Sequence, residues 1–324
     1  MPAEAKLYLK KINEVKAEVH KAVMGQERVV EDIIICLICN AHALLEGVPG
    51  VAKTFTIRCL SEAVEGSTFS RIQFTPDLLP SDITGVQIYE EEKGFYIRKG
   101  PIFANFTLAD EINRAPPKVQ AAMLQCMAER QVTIGRKTFD LPNPFFVLAT
   151  QNPLEQQGVY PLPEAQVDRF LFKINVGYPK MEAELKVIKT NAETKAISDY
   201  GIKKVLSIKD ILRMQAEVNS VFVSEEIKEY ATLIIDATRY PKNHPLKNGK
   251  YIRWGGSPRA SISLVLAARA NALINGRDYV MPDDIKSVAG NVLRHRIVLN
   301  YEGKAKNIPT DEIVEDILGV VEVV

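Results

Sequence analysis

Eight consecutive residues, Gly47-Val48-Pro49-Gly50-Val51-Ala52-Lys53-Thr54, constrain the fold of this chain more than any others. They follow an apolar run, Ala43-Leu44-Leu45, and precede a helical pattern over about 54–64. A Gly-rich turn at a strand-to-helix junction gathers successive backbone N–H groups and a helix N-terminus around one point, which makes a nest for an anion. In such loops a lysine brings a point charge to the β- and γ-phosphates and the next hydroxyl serves Mg²⁺; here these are Lys53 and Thr54. The glycine that usually precedes the lysine is replaced by Ala52, at a position that tolerates helical backbone and a methyl group. Taken alone, the string also fits a plain Gly-rich turn with a solvated lysine.

Two further strings narrow the reading. Phe106-Thr107-Leu108-Ala109 reads as an apolar strand and ends in Asp110-Glu111. In a parallel sheet both carboxylates emerge at the C-terminal edge, where ligands bind. Asp110 is then placed to hold Mg²⁺ through water, and Glu111 to polarise a water for in-line attack on a γ-phosphate, because phosphoryl transfer needs positioning and charge neutralisation. The plainer alternative is an acidic pair at a helix start. Phe145-Phe146-Val147-Leu148-Ala149-Thr150 is another buried strand, and it ends in Gln151-Asn152-Pro153. A neutral amide at a strand tip orients water without adding charge, while Asn-Pro by itself is a common turn.

The rest of the chain fits an α/β core followed by helices. A length of 324 residues suggests about two domains, and 46% hydrophobic with 25% charged residues excludes a disordered chain. Strand-like runs at 69–74, 105–109, 145–150 and 170–176 interleave with helical patterns at 4–22, 27–41 and from Pro116-Pro117 onward. Near-continuous apolar strands of this kind belong to a parallel sheet covered on both faces. Hairpins are expected at about 84–100, with Glu90-Glu91-Glu92-Lys93-Gly94 at the tip, and at 131–140, turning at Gly135-Arg136-Lys137. After Tyr178-Pro179 the periodicity becomes helical (181–192, 208–220, 225–238, 258–275, 282–297), broken by a polar loop at 241–257. The domains are therefore drawn as 1–179, a nucleotide-binding core carrying both hairpins, and 180–324, an all-α lid.

At this point the strings resemble a known family. The phosphate loop, the strand ending in Asp110-Glu111 and the amide at Asn152 look like Walker A, Walker B and sensor 1 of the AAA+ ATPases. Asp110-Glu111-Ile112-Asn113-Arg114-Ala115, Ala149-Thr150-Gln151-Asn152-Pro153, Gly158-Val159-Tyr160-Pro161-Leu162-Pro163-Glu164-Ala165 and Asp168-Arg169-Phe170 resemble the MoxR family within them, in the helix-2-insert clade. The resemblance runs from Gly25-Gln26 to Ser257-Pro258-Arg259. It implies a five-stranded parallel core with a helical lid, ATP and Mg²⁺ as ligands, and nucleotide contacts from Gly25, Gln26, Gly47, Val48, Pro49, Gly50, Val51, Ala52, Lys53, Thr54, Phe55 and Arg259. Thr54 and Asp110 would serve the metal; Glu111, Asn152, Lys53 and Arg169 would serve catalysis. Arg169 matches the arginine finger that reaches a neighbouring subunit's γ-phosphate, a task suited to permanent charge and fork geometry; on sequence alone, an ion pair with Asp168 or Glu164 is the plainer account. Arg259 matches the sensor-2 arginine, acting in cis or in trans. The resemblance also implies a ring-forming homo-oligomer, a hexamer in the family's pattern, and a protein client, with von Willebrand factor A domain proteins as the family's frequent partners.

Other features carry less. Forty-one Lys+Arg against 40 Asp+Glu leave a formal charge of +1, so no basic excess points to nucleic acid. No apolar window is long enough to span a bilayer, the first residues lack the apolar stretch of a signal peptide, and the four cysteines sit in apolar surroundings, so a reducing cytoplasm is expected. Cys36 and Cys39 read as core, the four histidines as structural, and Met123 with Met127 as a core stripe. The cations of the 241–257 loop read as a solvated or inter-subunit segment. Three functions are weighed: an ATPase that remodels a protein partner, a nucleic-acid motor like helicase relatives of the clade, and a small-molecule kinase. Arg136-Lys137 favours the second, whereas the acidic tip and balanced charge oppose it. The third leaves Asp110-Glu111 with Asn152, and the helical second domain, unexplained.

Overall fold

Five strands organise the core: β1 (Ala43–Gly47), β2 (Phe69–Gln73), β3 (Phe106–Asp110), β4 (Phe146–Gln151) and β5 (Phe172–Val176); β1, β3 and β4 are buried almost throughout, while β2 buries only Ile72. In this computed structural model, which describes residues 3–48, 50–51, 53–92, 94–153, 158–191 and 196–323, they form one sheet in the order β5-β1-β4-β3-β2. The pairings of β1 with β4, β3 with β4 and β2 with β3 are parallel. All five side chains of β3 are buried, as expected of a parallel strand covered on both faces. The helices α1 (Ala3–His20), α2 (Glu27–Ile38), α3 (Lys53–Glu62) and α4 (Pro117–Glu129) intervene along the chain. The α4 helix opens with proline in its first turn, where a missing N–H costs nothing, and buries Val119, Met123, Leu124, Cys126 and Met127.

Register decides where the site lies. Gln73 stands opposite Asp110, Ala109 opposite Ala149, and Glu46 opposite Gln151. The carboxyl ends of β1, β3 and β4 therefore come level at one edge. At the other end of these strands, buried His42 ties β1 to β4: its Nδ1 accepts the Val147 N–H at 3.1 Å and its Nε2 meets the Met127 carbonyl at 3.3 Å.

Both expected hairpins are present, Gly85–Glu90 with Gly94–Lys99 and Gln131–Ile134 with Lys137–Asp140. All four cysteines are buried, and none is in a disulfide.

The chain divides into two compact units, one of Lys11–Arg169 with Ile174–Arg213, the other of the residues up to Lys10, Phe170–Lys173 and Met214–Val324. This division falls later than the boundary drawn near 179. The physical reason is that α5 (Met181–Asn191) and the residues after it stay with the sheet unit: Leu206 and Ser207 extend a parallel pair with Val64 and Glu65, and Asp210 pairs with Lys11 at 2.6 Å. The second unit contains α7 (Glu225–Arg239), α8 (Pro258–Ile274), α9 (Pro282–Leu293) and α10 (Thr310–Val320), with α6 (Ile208–Ser220) running into it. Within it, the polar loop over 241–257 is more ordered than its composition suggests. It holds short 3-10 turns and a strand, Ile252–Trp254, paired antiparallel with Val298–Leu299, and it is anchored by buried Tyr251. The α10 helix was not expected from the periodicity, although Asp311 and Glu312 in its first turn and Ile313, Val314 and Ile317 in its core face are helix signals. No described helix is long and apolar enough to cross a membrane.

Candidate active site

The strand ends and the phosphate loop enclose a pocket of about 340 Å³ lined by Gly50, Lys53, Thr54, Phe55, Asp110, Glu111, Thr150 and Asn152. The loop turns at Gly50, with φ +85°, and Val51 is buried beneath it. Val48 is half-buried, and Pro49 and Ala52 lie outside the described residues. Gly47 must lack a side chain because a Cβ there would come 2.4 Å from the Val176 carbonyl oxygen. Lys53 stands at the first position of α3, and its ammonium donates to the Gly47 carbonyl and, at 3.3 Å, to that of Gln151. The lysine is thus held across the ends of β1 and β4.

Asp110 is the hub of this edge. Its Oδ1 accepts the Thr150 hydroxyl at 2.6 Å, and its Oδ2 accepts Thr54 Oγ1 at 3.4 Å and Arg71 through Nε at 3.0 Å and Nη2 at 2.7 Å. A carboxylate oxygen beside a hydroxyl is a hard donor set of the kind Mg²⁺ takes. Glu111 follows in the left-handed region (φ 56°, ψ 49°), a conformation that costs a non-glycine residue about 1 kcal/mol or more. Three contacts hold it there. Its N–H donates to Thr150 Oγ1 at 2.9 Å, and its Oε2 accepts Gln73 Nε2 at 2.9 Å and lies 3.2 Å from Arg114 Nε. The strain therefore turns the Glu111 carboxylate out of the strand direction and into the pocket, next to buried Asn152. The chain beyond Glu111 is braced as well: the Asn113 carbonyl accepts the Tyr160 N–H at 2.7 Å, and Gln120 Nε2 donates to the carbonyls of Ala115 at 3.0 Å and Tyr160 at 2.9 Å.

Residues named from the sequence fall into three groups. Gly50, Lys53, Thr54, Phe55, Asp110, Glu111 and Asn152 meet in the one pocket. Gly25 and Gln26 belong to the same unit but to its other side of the loop. Gln26 Nε2 donates to the Gly177 carbonyl at 3.0 Å, and Gly25, with φ +74°, borders a separate cavity beside α5, where a Cβ would come 2.6 Å from that of Ala183. Arg169 and Arg259 do not line the pocket. Arg169 is exposed and donates to the Leu124 carbonyl at 2.7 Å, with neither Asp168 nor Glu164 as its ion-pair partner; Arg259 is exposed in the first turn of α8, in the other unit. Sequence reasoning missed Arg71, Gln73 and Thr150 as site residues. Their signal is positional: each is a polar side chain near the carboxyl end of a parallel strand.

Comparison with known proteins agrees with this geometry. Residues 42–172 match the ATPase family associated with various cellular activities (AAA), and residues 247–317 match the AAA lid domain. The chain is 48% identical over 306 residues to Chaperone MoxR1 of Mycobacterium tuberculosis (strain ATCC 25618 / H37Rv), covering 94% of this chain and 80% of that one. It belongs to the MoxR family of AAA+ ATPases. Similarity extends to the uncharacterized protein YeaC of Bacillus subtilis (strain 168), at 44% identity over 94% of this chain and 92% of that one. A crystal structure of a "putative ATPase" from Cytophaga hutchinsonii ATCC 33406 superposes with a TM-score of 0.91 at 48% identity, covering 99% of this chain and 97% of that chain. In this MoxR-family chain, Gly50, Lys53, Thr54, Asp110, Glu111 and Asn152 of the strings quoted above line one pocket at the carboxyl edge of the sheet.

Proposed function

We propose that the chain hydrolyses ATP with Mg²⁺ as a ring-forming homo-oligomer, hexameric in the family's pattern, and uses the cycle to remodel or mature a protein client. The observation that carries this reading is the convergence of Lys53, Thr54, Asp110, Glu111 and Asn152 on one pocket beside the phosphate loop. Thr54 and Asp110 would hold Mg²⁺, which when bound neutralises charge on the phosphates. Lys53, now shared by two carbonyls, is within its own tether of the loop and would take the β- and γ-phosphates. Glu111, steered by Thr150 and Gln73, would accept a proton from the attacking water, with Asn152 orienting that water. Phe55 and the Gly25-Gln26 segment would flank the nucleotide. Arg169, exposed and outside the pocket, supports supply of the finger to a neighbouring copy, and Arg259 would act as the lid arginine.

A chaperone-like role is supported by the printed name of the Mycobacterium tuberculosis relative; a von Willebrand factor A domain client and a cytoplasmic setting are part of the same proposal. Nucleic acid is not proposed as a partner, because the net charge of +1 offers no phosphate-binding excess. The deciding experiment is Glu111→Gln in purified protein. It should bind ATP as the parent does and lose turnover by about 10²-fold or more; normal phosphate release would remove Glu111 from the base position. The same variant held in ATP should retain the client for identification.

A further inference from the structure

Two surfaces in different units of the chain carry exposed aliphatic side chains beside charges of opposite sign. On α5, Met181, Leu185 and Ile188 are exposed by 74%, 52% and 59%. Their i, i+4, i+7 spacing makes them one stripe. Opposite them on the same helix Ala183 faces Gly25, so the stripe is the helix's outer face and not a misplaced core face. Glu182 and Glu184 stand in the first turn beside it, exposed and in no ion pair with any described residue.

In the other unit, α7 and α8 border a groove of about 490 Å³. Its floor is apolar, formed by Ala231, Val265 and Leu266, with Ile262 at the rim, 68% exposed. Its cations are Lys228, which pairs with Glu225 of its own helix at 2.5 Å, and Arg269. Arg269 is half-buried, its Nε is enclosed with no hydrogen-bond partner among the described residues, and it forms no ion pair with any of them. The Arg269 side chain lines the groove with no carboxylate against it among the described residues.

We infer that the exposed face of α5 docks into the α7–α8 groove of a second copy of this chain. The stripe from Met181 to Ile188 and the groove wall from Ile262 to Arg269 each run seven residues, about 10 Å of helix. Three aliphatic side chains meet an aliphatic floor, and the carboxylates of Glu182 and Glu184 meet Arg269, the groove cation that Glu225 does not already neutralise. Laying an apolar helix face into a groove between helices is a recurrent recognition mode. The two patches are different, so the contact is heterologous and propagates head to tail, as a ring or a filament requires. Two helical turns supply only part of the roughly 1,600 Å² that a stable interface buries, so this is one anchored contact within a larger interface. The inference rests on the homo-oligomer reading above and names a surface that reading leaves open.

The test uses Leu185→Asp and Ile262→Asp in the full chain. Both side chains are exposed, so the fold should survive, as thermal unfolding will verify. With a non-hydrolysable ATP analogue, the parent should sediment as an oligomer, and each variant should need about tenfold more protein to assemble. An equimolar mixture should regain association and stop at dimers, because one variant keeps the groove and the other keeps the helix. Thiol cross-linking gives an independent reading, since all four native cysteines are buried. A mixture of Leu185→Cys and Ile262→Cys chains should cross-link through a short bismaleimide, and neither chain should do so alone. Variants that assemble like the parent, a mixture that recovers nothing, or cross-linking of Leu185→Cys with itself would overturn the docking while leaving the oligomer reading in place. A parent that stays monomeric in every nucleotide state would overturn both.

Discussion

The carboxyl edge of the sheet and the exposed Asp168-Arg169 turn carry charged groups in opposite circumstances. At the edge, Asp110 has Thr150, Thr54 and Arg71, Glu111 has Gln73, Thr150 and Arg114, and Lys53 bridges two carbonyls. Arg169 has one backbone carbonyl, from α4, and no place in the pocket. Groups that must stay fixed through a catalytic cycle are pre-organised by their neighbours. A guanidinium that must meet a phosphate on another subunit has to stand outside its own pocket. Binding groups assembled within one chain, with the finger arginine left out, are what a shared active site between copies requires.

The largest expected effect follows from that contrast. Arg169→Ala should lower turnover by about 10³-fold with ATP binding little changed, the size associated with loss of an arginine finger. Mixing it with Lys53→Ala subunits should restore part of the phosphate release, because each supplies what the other lacks. No recovery at any ratio would place Arg169 in its own subunit's chemistry or in none. On the other side of the contrast stands Thr150, whose hydroxyl joins Asp110 to the Glu111 N–H. Thr150→Val keeps the shape and removes the link, and misplacing Glu111 by even an ångström should cost about 10²-fold in turnover. Thr150→Ser should stay near the parent. If Val and Ser behave alike, the edge does not depend on this bridge.

How much of this was legible beforehand differs between the same two regions. The pocket was readable because its residues sit at strand ends, and strand ends announce themselves as apolar runs that stop at a polar residue; Asp110, Glu111 and Asn152 are all of this kind. Thr150 lay inside one of the recognised strings without being given a role, since a hydroxyl inside a strand looks like ordinary β-propensity. Arg71 and Gln73 were hidden because their partners come from a strand well separated in sequence, and only register brings Gln73 opposite Asp110. The compact units divide later than 179 for a related reason: Leu206 and Ser207 join the sheet unit by a two-residue pairing too short to leave a periodic pattern. The matching faces of α5 and of α7–α8 are sets of side chains on separate helices, invisible until solvent exposure is known.

The opposite end of the same two strands offers a smaller and different effect. His42 is fully enclosed between β1 and β4, and burial, helped by the charge of Arg130 and opposed by the Met127 carbonyl, lowers its pKa to about 3. In the unfolded chain it returns to about 6.5. Between these values the unfolded state takes up a proton that the folded state refuses, so stability is complete above about pH 6.5 and falls as pH drops. The loss from His42 should reach about 2 kcal/mol between pH 7 and pH 5, roughly a 30-fold change in the folding equilibrium. Denaturant titration across that range measures it, and His42→Gln should flatten the slope. An unchanged slope would mean that the imidazole titrates in the fold as it does in water.

The smallest effect concerns Arg71, which is the point where the fixed edge and the exposed surface meet. Its guanidinium lies on Asp110 Oδ2, the oxygen that also faces Thr54, and its side chain is 52% exposed. An arginine on that oxygen competes with a divalent cation for the same charge. A half-exposed pair of this kind contributes about 0.2–1 kcal/mol. Arg71→Ala should therefore lower the Mg²⁺ concentration for half-maximal ATP hydrolysis by only about two- to fivefold. Arg71→Lys, which keeps the charge but loses the two-nitrogen grip, should fall between it and the parent. A higher Mg²⁺ requirement in Arg71→Ala would reverse the assignment: Arg71 would then belong with Lys53 among the groups that hold the nucleotide.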